Sequence, residues 1–170
     1  DYPPVYGWDL GGIELDPSKN LDGVPFDKMR SFIQEGYERG GVITISWHLR
    51  NPVTGGSAWD STGDVVKDII PGGAYNNKYK TYLDKVAVFL QSLKGKNGRP
   101  IPVILRLFHE LNGSWFWWGK KNCTPEEMKQ LWHFTVSYLR DEKPLHNLLF
   151  PYNTDRFSSI HEYLERYPGD

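Results

Sequence analysis

The sequence predicts an α/β fold in which parallel β-strands alternate with helices. Two observations support this prediction. Short β-branched or apolar runs alternate four times with longer amphipathic segments along the 170 residues, and glycine or proline separates most of them. This alternation is typical of βαβ units with right-handed crossovers. Because there is neither an internal repeat nor a linker, we treat the chain as part of one domain.

The first two strand–helix units are marked by residue periodicity and by glycine. Residues 5–8 are the first predicted strand, and residues 42–47 the second. The second strand reads VITISW, a continuous run that predicts burial on both faces. Between them a helix is predicted from Phe26, because apolar side chains recur at helical spacing until Gly40 and Gly41 end it.

The second half of the chain repeats this pattern. Thr124, Pro125 and Glu127 have the spacing of an N-cap, a first helical residue and a capping-box partner, so a helix is predicted to begin there. Periodicity predicts the other elements: a helix from about Lys78, strands at 103–108 and 147–152, and a short helix at 160–167.

Two architectures fit four such units: an open doubly wound sheet and part of a (β/α)8 barrel. The glycine pair after the first strand does not extend to G-x-G-x-x-G, and no G-x-x-x-x-G-K-[ST] motif occurs, so nucleotide binding has no support. The barrel is therefore favoured. A complete barrel has eight strands in about 250 residues, so this sequence is expected to supply half of one.

Composition and charge argue against several kinds of partner. With 20 basic and 21 acidic side chains the net charge is -1, which gives no positive surface for nucleic acid or an anionic membrane. The apolar runs are far shorter than the ~20 residues that span a bilayer. We therefore expect neither nucleic acid nor a membrane as a partner. A single cysteine, Cys123, cannot form an internal disulfide.

Polar residues follow all four predicted strands. In parallel α/β folds the carboxyl ends of the strands meet at one face, where functional groups gather. We therefore expect the polar residues at these four strand ends to lie together on one face of the domain. The residue pairs are Trp8-Asp9, Trp47-His48, His109-Glu110 and Tyr152-Asn153.

The stretch RLFHELNGSWFWWG, residues 106–119, places a carboxyl group beside several aromatic rings. Shielding of Glu110 by the Trp115 and Trp118 indoles would favour the protonated carboxyl, which proton delivery to a leaving oxygen requires. Aromatic rings also stack on the apolar faces of sugars, while polar side chains bind the hydroxyl groups. The combination predicts a carbohydrate site with Glu110 as a general acid.

No metal or cofactor is predicted. HELNG begins like the zinc-protease motif H-E-x-x-H, but Gly113 stands where the second histidine is required. His133, His146 and His161 have no ligand spacing among them.

Three stretches, YGWDLGG (6–12), ISWHLRNP (45–52) and residues 106–119, resemble glycoside hydrolase family 26, whose best-known members are endo-β-1,4-mannanases. The likeness covers essentially the whole chain. It implies a retaining enzyme with a (β/α)8 TIM barrel, of which this chain covers about strands 2 to 5. Residues 1–170 are then expected to be a partial glycoside hydrolase catalytic domain that lacks the late strands.

The resemblance also implies roles for individual residues. Glu110 matches the acid/base, His48 a histidine that contacts the sugar at the cleavage subsite, and Trp115 a tryptophan packed near the acid/base. Arg106 has the parity of Glu110 along the strand, and we expect it either to orient a carboxylate or to form a salt bridge inside the barrel. The predicted substrate-binding residues are His48, His109, Asn112, Trp115, Trp118 and Tyr152.

A retaining mechanism also needs a second carboxylate, the nucleophile, about 5 to 5.5 Å from the first. No residue of this sequence matches the nucleophile of the family, so we expect it in a longer parent chain or in a partner that completes the barrel. Three functions stay open: an endo-β-1,4-mannanase, a β-glucanase or xylanase of the same fold, and a non-catalytic sugar-binding fragment. β-Mannan or a related plant polysaccharide as substrate implies an extracellular or cell-envelope location.

Overall fold

A computed structural model describes residues 2–169, in which four strands form one parallel sheet. The sheet order is β1-β2-β3-β4, and each strand pairs in parallel with the next one along the chain. Sequential parallel strands with intervening helices are one side of a (β/α)8 barrel, so the predicted α/β fold is confirmed. The strands are β1 (Val5–Asp9), β2 (Val42–Ser46), β3 (Val103–Arg106) and β4 (Leu148–Leu149).

Within the described residues, five α-helices connect or follow the strands. None of them is long and apolar enough to cross a membrane. They are α1 (Phe26–Glu38), α2 (Val65–Ile69), α3 (Asn76–Gln91), α4 (Pro125–Ser137) and α5 (Ile160–Glu165), with a 3-10 turn at Ile13–Leu15 and a π-helical turn at Tyr138–Glu142.

The predicted start of α4 is confirmed in detail. The backbone N–H of Glu127 donates to Thr124 Oγ1 at 3.1 Å, and the Glu127 carboxylate accepts from the backbone N–H of Thr124 at 2.9 Å. Pro125 occupies the first helical position. Two N–H groups that a helix start leaves without backbone partners are thereby satisfied.

The hydrophobic core lies between the sheet and the helices. Ile43 and Ile45 of β2 are buried against it, whereas Thr44 and Ser46, which point to the opposite face, are only half-buried. The prediction that β2 is buried on both faces is therefore wrong for Thr44 and Ser46, because their small polar side chains lie on the face of the sheet that points away from the helices.

β3 and β4 are shorter than predicted. β3 ends at Arg106 rather than at residue 108, because Phe108 and Glu110 adopt positive φ angles of 46° and 56°. Such residues cannot continue a strand. β4 has two residues instead of six, since it pairs with β3 only at Val103 and Ile104.

Candidate active site

Side chains at or just after the ends of β1, β2 and β3 converge at the carboxyl end of the sheet, as the sequence predicts. Asp9 Oδ2 lies 2.8 Å from His48 Nδ1, and His48 Nε2 lies 3.3 Å from His109 Nε2. Glu110 follows His109 directly. Three neighbouring strands therefore bring a carboxylate and two imidazoles into one continuous row beside the candidate acid.

The Asp9 carboxylate is buried and has several donors. Ser46 Oγ donates to Oδ2 at 2.6 Å and the backbone N–H of Gly11 donates to Oδ1 at 2.7 Å, in addition to the contact with His48. Burial alone would raise the pKa of Asp9, but the hydrogen bonds from His48 and Ser46 and the His48 charge together lower it to about 2. Asp9 is therefore a fixed anion at neutral pH.

The two histidines have opposite electrostatic environments. The hydrogen bond with Asp9 raises the pKa of His48, although partial burial opposes this. Burial and the charge of His48 lower the pKa of His109 to about 4. His109 is almost fully buried, and its Nδ1 atom has no hydrogen-bond partner within the described residues.

Glu110 lies beside an exposed indole. Trp115 Nε1 donates to Glu110 Oε2 at 2.8 Å, and the Trp115 side chain remains 42% exposed. Glu110 itself is half-buried. Trp115 therefore holds the carboxyl group by a hydrogen bond and also offers an open aromatic surface next to it, the arrangement expected for a sugar site.

Trp118 supports the site from within the core. It has no exposed surface, its Nε1 donates to the carbonyl of His109 at 2.9 Å, and its ring stacks on Phe116 at 4.4 Å. Phe116 in turn packs edge-on against His109. The structure thus differs from the predicted sugar contact of Trp118, because this ring is used to seat His109.

Asn112 is also placed differently from the prediction. It is 5% exposed, its Nδ2 donates to the carbonyl of Arg156 at 2.9 Å, and its Oδ1 accepts from the backbone N–H of Asp155 at 2.7 Å. Both ends of the amide are occupied by the chain after β4. Asn112 therefore ties that segment to the β3 loop rather than offering its amide to a sugar.

Tyr152 and Arg106 have partners within the chain. The Tyr152 hydroxyl donates to the carbonyl of Tyr163 at 2.8 Å, so it joins the segment after β4 to α5. Arg106 Nε donates to Asn153 Oδ1 at 2.9 Å. We expected a carboxylate as the partner of Arg106. The partner in the structure is instead the side-chain amide of Asn153, which follows the neighbouring strand β4.

Two residues near His48 were not predicted as site residues. Trp59 is 53% exposed and stacks on the His48 ring at 5.2 Å, with an interplanar angle of 19°. The buried Glu14 accepts from Trp47 Nε1 at 3.0 Å and from the backbone N–H of Arg50 at 2.9 Å, on both sides of His48. A lone tryptophan in the loop TGGSAWDSTG was a usable sequence signal for Trp59, whereas Glu14 gave none.

Several known proteins are similar to this chain in fold and in sequence. A solved structure of a GH26 beta-mannanase from Bacteroides ovatus has a TM-score of 0.95 and 49% identity, covering 99% of this chain and 49% of that one. A mannan endo-1,4-beta-mannosidase of Bifidobacterium adolescentis is 38% identical over 99% of this chain and 17% of its own length. Its counterpart in Bacillus subtilis is 30% identical over 90% of this chain and 44% of its own length.

The chain therefore spans less than half of the length of each of these relatives. A sequence model described as Glycosyl hydrolase family 26 matches residues 1–170 from end to end. The chain belongs to glycosyl hydrolase family 26.

Proposed function

We propose that residues 1–170 form one side of the active site of an enzyme that hydrolyses internal β-1,4-mannosidic bonds in mannan-type polysaccharides. The observation that carries the proposal is Glu110, which lies at the carboxyl end of β3 with its carboxylate hydrogen-bonded to the exposed Trp115. The names of the relatives supply the substrate class, because each is a mannanase.

In the proposed mechanism Glu110 acts first as an acid and then as a base. Its proton passes to the glycosidic oxygen as the bond to the anomeric carbon breaks, while a second carboxylate attacks that carbon from the opposite face. The proposal assigns this nucleophile to a part of the enzyme outside residues 1–170. Glu110 then removes a proton from water, which releases the sugar with retained configuration.

The test compares two kinds of substrate on the complete enzyme that carries these residues. Glu110→Ala should lower hydrolysis of soluble β-mannan at least about 100-fold, in line with the loss of a general acid. Aryl β-mannosides with good leaving groups need little protonation, so their first step should be nearly unchanged, and added azide should restore turnover by replacing the activated water.

Glu126→Ala is the matched control, because Glu126 is an exposed glutamate in the first turn of α4. It should leave both activities unchanged. If Glu110→Ala slowed the first step equally on activated and polymeric substrates, or if mannan hydrolysis kept its full rate, the acid/base role would be wrong.

The substrate is tested separately. Initial rates on β-mannan, mixed-linkage β-glucan and xylan should rank mannan highest, and a higher rate on glucan or xylan would replace it as the substrate. Because these polymers lie outside the cytoplasm, we propose an extracellular or cell-envelope location for the enzyme.

A further inference from the structure

A row of hydrogen-bonding groups crosses the site from β1 to β3. It begins at Asp9, passes through both ring nitrogens of His48 and ends at His109. Each hydrogen bond in this row needs one proton, and the groups at the two ends decide which atom carries it. The acid/base role proposed for Glu110 does not determine where these protons lie.

The Asp9 end of the row fixes the first proton. A carboxylate that already accepts hydrogen bonds from Ser46 Oγ and the Gly11 N–H is stabilised as an anion. An anion can only accept, so His48 Nδ1 must carry a proton and donate it to Oδ2 at 2.8 Å. Gly11 also has no room for a side chain, since an added Cβ would lie 2.9 Å from Asp9 Oδ1.

The next proton lies between the two imidazoles. His48 Nε2 and His109 Nε2 are 3.3 Å apart, so one nitrogen donates and the other accepts. If His48 donates, it carries both protons and is positively charged beside Asp9. If His109 donates, the Asp9 anion keeps its hydrogen bonds from His48, Ser46 and Gly11 but has a neutral ring beside it and loses the attraction of a neighbouring positive charge.

The surroundings of the rings favour the first arrangement. Besides Asp9, the carboxyl groups of Asp22 and Glu110 face His48, and each of them can only favour a positive charge on this ring. His109 is enclosed by the Phe116 and Trp118 rings. Its burial and the positive charges of His48 and Arg106 disfavour a charged ring, and the more distant negative charge of Asp9 opposes them only in part. A cation is therefore stabilised on His48 and disfavoured on His109.

We propose that Asp9 is a positioning residue that holds His48 as an imidazolium, which donates from Nε2 to His109 and keeps His109 neutral with its proton on Nδ1. The raised pKa of His48 and the pKa of about 4 for His109 agree with this assignment. These proton positions do not rest on the proposed function.

The test is a nitrogen-15 NMR titration of the imidazole rings of the 170-residue chain, without substrate. The exposed His133, His146 and His161 are changed to glutamine so that two histidine signals remain. We expect His48 to stay doubly protonated above pH 6.5, and His109 to show the Nδ1–H tautomer from neutral pH down to about 4. A His109 that titrates near 6.5 or carries its proton on Nε2 would overturn the proposal.

Asp9→Asn removes the charge while it keeps the size of the side chain. We expect the His48 midpoint to fall by at least about one pH unit. Ser46→Ala removes one donor but leaves the Asp9 carboxylate, so His48 should stay charged at neutral pH. An unchanged midpoint in Asp9→Asn contradicts the proposal, and if this variant does not fold, the tautomers of the unsubstituted rings decide.

The activity readout separates this inference from the proposed function. In the complete enzyme, Asp9→Asn should move the pH profile of kcat/KM on mannan and leave the azide response of Glu110→Ala intact. If no mannan is cleaved at all, the proposed function fails while the NMR assignment still stands or falls by itself.

Discussion

Gly113 shows how the absence of a side chain shapes the site. In the sequence it counts only as the missing histidine of a zinc motif. In the structure a Cβ at this position would lie 2.5 to 2.8 Å from three atoms of the Trp115 indole. Real Cβ atoms do not approach so closely, so Trp115 can lie against the backbone and reach Glu110 only because residue 113 is glycine.

Two complementary substitutions in the complete enzyme test the contact between Trp115 and Glu110. Trp115→Phe keeps an aromatic ring but removes the donor to Glu110, and Gly113→Ala keeps the indole but displaces it. Both should lower kcat on mannan by about 10-fold or more, because a hydrogen bond to an ionisable group is lost. Steady-state kinetics on soluble mannan measures this.

Gly7→Ala is the control for the glycine substitution. Among the described residues an added Cβ there would meet only Thr44, at an ordinary 3.9 Å, so kcat should change little. Native kcat in Gly113→Ala would mean that the indole need not lie against the backbone at residue 113.

The sequence predicts which residues meet at the site better than it predicts what they do there. Asp9, His48 and His109 converge because strand order and strand ends can be inferred from periodicity. The roles of Trp118 and Asn112 were not predictable, because the backbone turns after Arg106 and sends both side chains into the protein. Their neighbours come from the sheet and from residues 155 and 156.

At the scale of elements, the exit from β3 is the distinctive feature. Phe108 and Glu110 both adopt left-handed backbone conformations on either side of His109. Each such residue costs about 1 to 2 kcal/mol relative to ordinary backbone. Phe108 is buried against Trp118 and Trp132, which holds the turn in place. The candidate acid therefore lies on a strained turn, as is common at active sites.

This strain predicts an unusual order of stability. Glu110→Gly should be more stable than Glu110→Ala by about 1 kcal/mol, since glycine tolerates a φ of 56° and alanine does not. Urea unfolding of the two variants gives the difference in free energy.

Gln130, an exposed position on α4, is the control: there the alanine variant should be more stable than the glycine variant by about 1 kcal/mol. An alanine variant at residue 110 that equals or exceeds the glycine variant would show that the turn is not strained.

Elements with local signals were predicted well, and the others were not. The bounds of α1, α3 and α4 follow from apolar periodicity, glycines and a capping box, all of which lie within the helix or within a few residues of its ends. α2 has five residues, too few to show a period. β4 pairs with β3 only at Val103 and Ile104 although β3 continues to Arg106, so the length of β4 is not marked by any signal within its own apolar run.

At the scale of the whole molecule, ionisation of Asp9 links stability to pH. Its pKa in the folded chain is about 2 against an ordinary value of 3.8, so its contribution is present above pH 3.8 and is lost as the pH falls towards 2. The shift corresponds to a free energy on the order of 2 kcal/mol. The raised pKa of His48 acts in the other direction, because that contribution is present below pH 6.5 and is lost as the pH rises through the folded value.

Asp9→Asn should therefore flatten the loss of stability between pH 4 and 2. The measurement is the free energy of unfolding of the 170-residue chain in urea at several pH values. Glu162 also has a pKa of about 2, set by hydrogen bonds from Ser158 and Lys120, but it contributes equally to both proteins and cancels in the difference. If the free energy of unfolding fell equally steeply below pH 4 in both proteins, the prediction would be wrong.

The edges of the sheet predict how the 170-residue chain behaves alone. β1 and β4 are the outer strands, so each presents backbone N–H and C=O groups on one side without a strand partner among the described residues. Leu149 of β4 is 66% exposed. Exposed edges with apolar side chains pair with other chains, so the isolated chain should self-associate as its concentration rises.

Leu149→Lys should reduce this association, because a charged side chain on an edge strand disfavours further pairing. Val88→Lys is the control, since Val88 is equally exposed, at 67%, but lies on the helix α3 and not on an edge strand. Light scattering after size exclusion, over a range of concentrations, measures the mass of each protein. If both lysine variants associate to the same extent, the exposed helix surface and not the sheet edge drives association. If the unsubstituted chain is monomeric at all concentrations, the prediction of self-association is wrong.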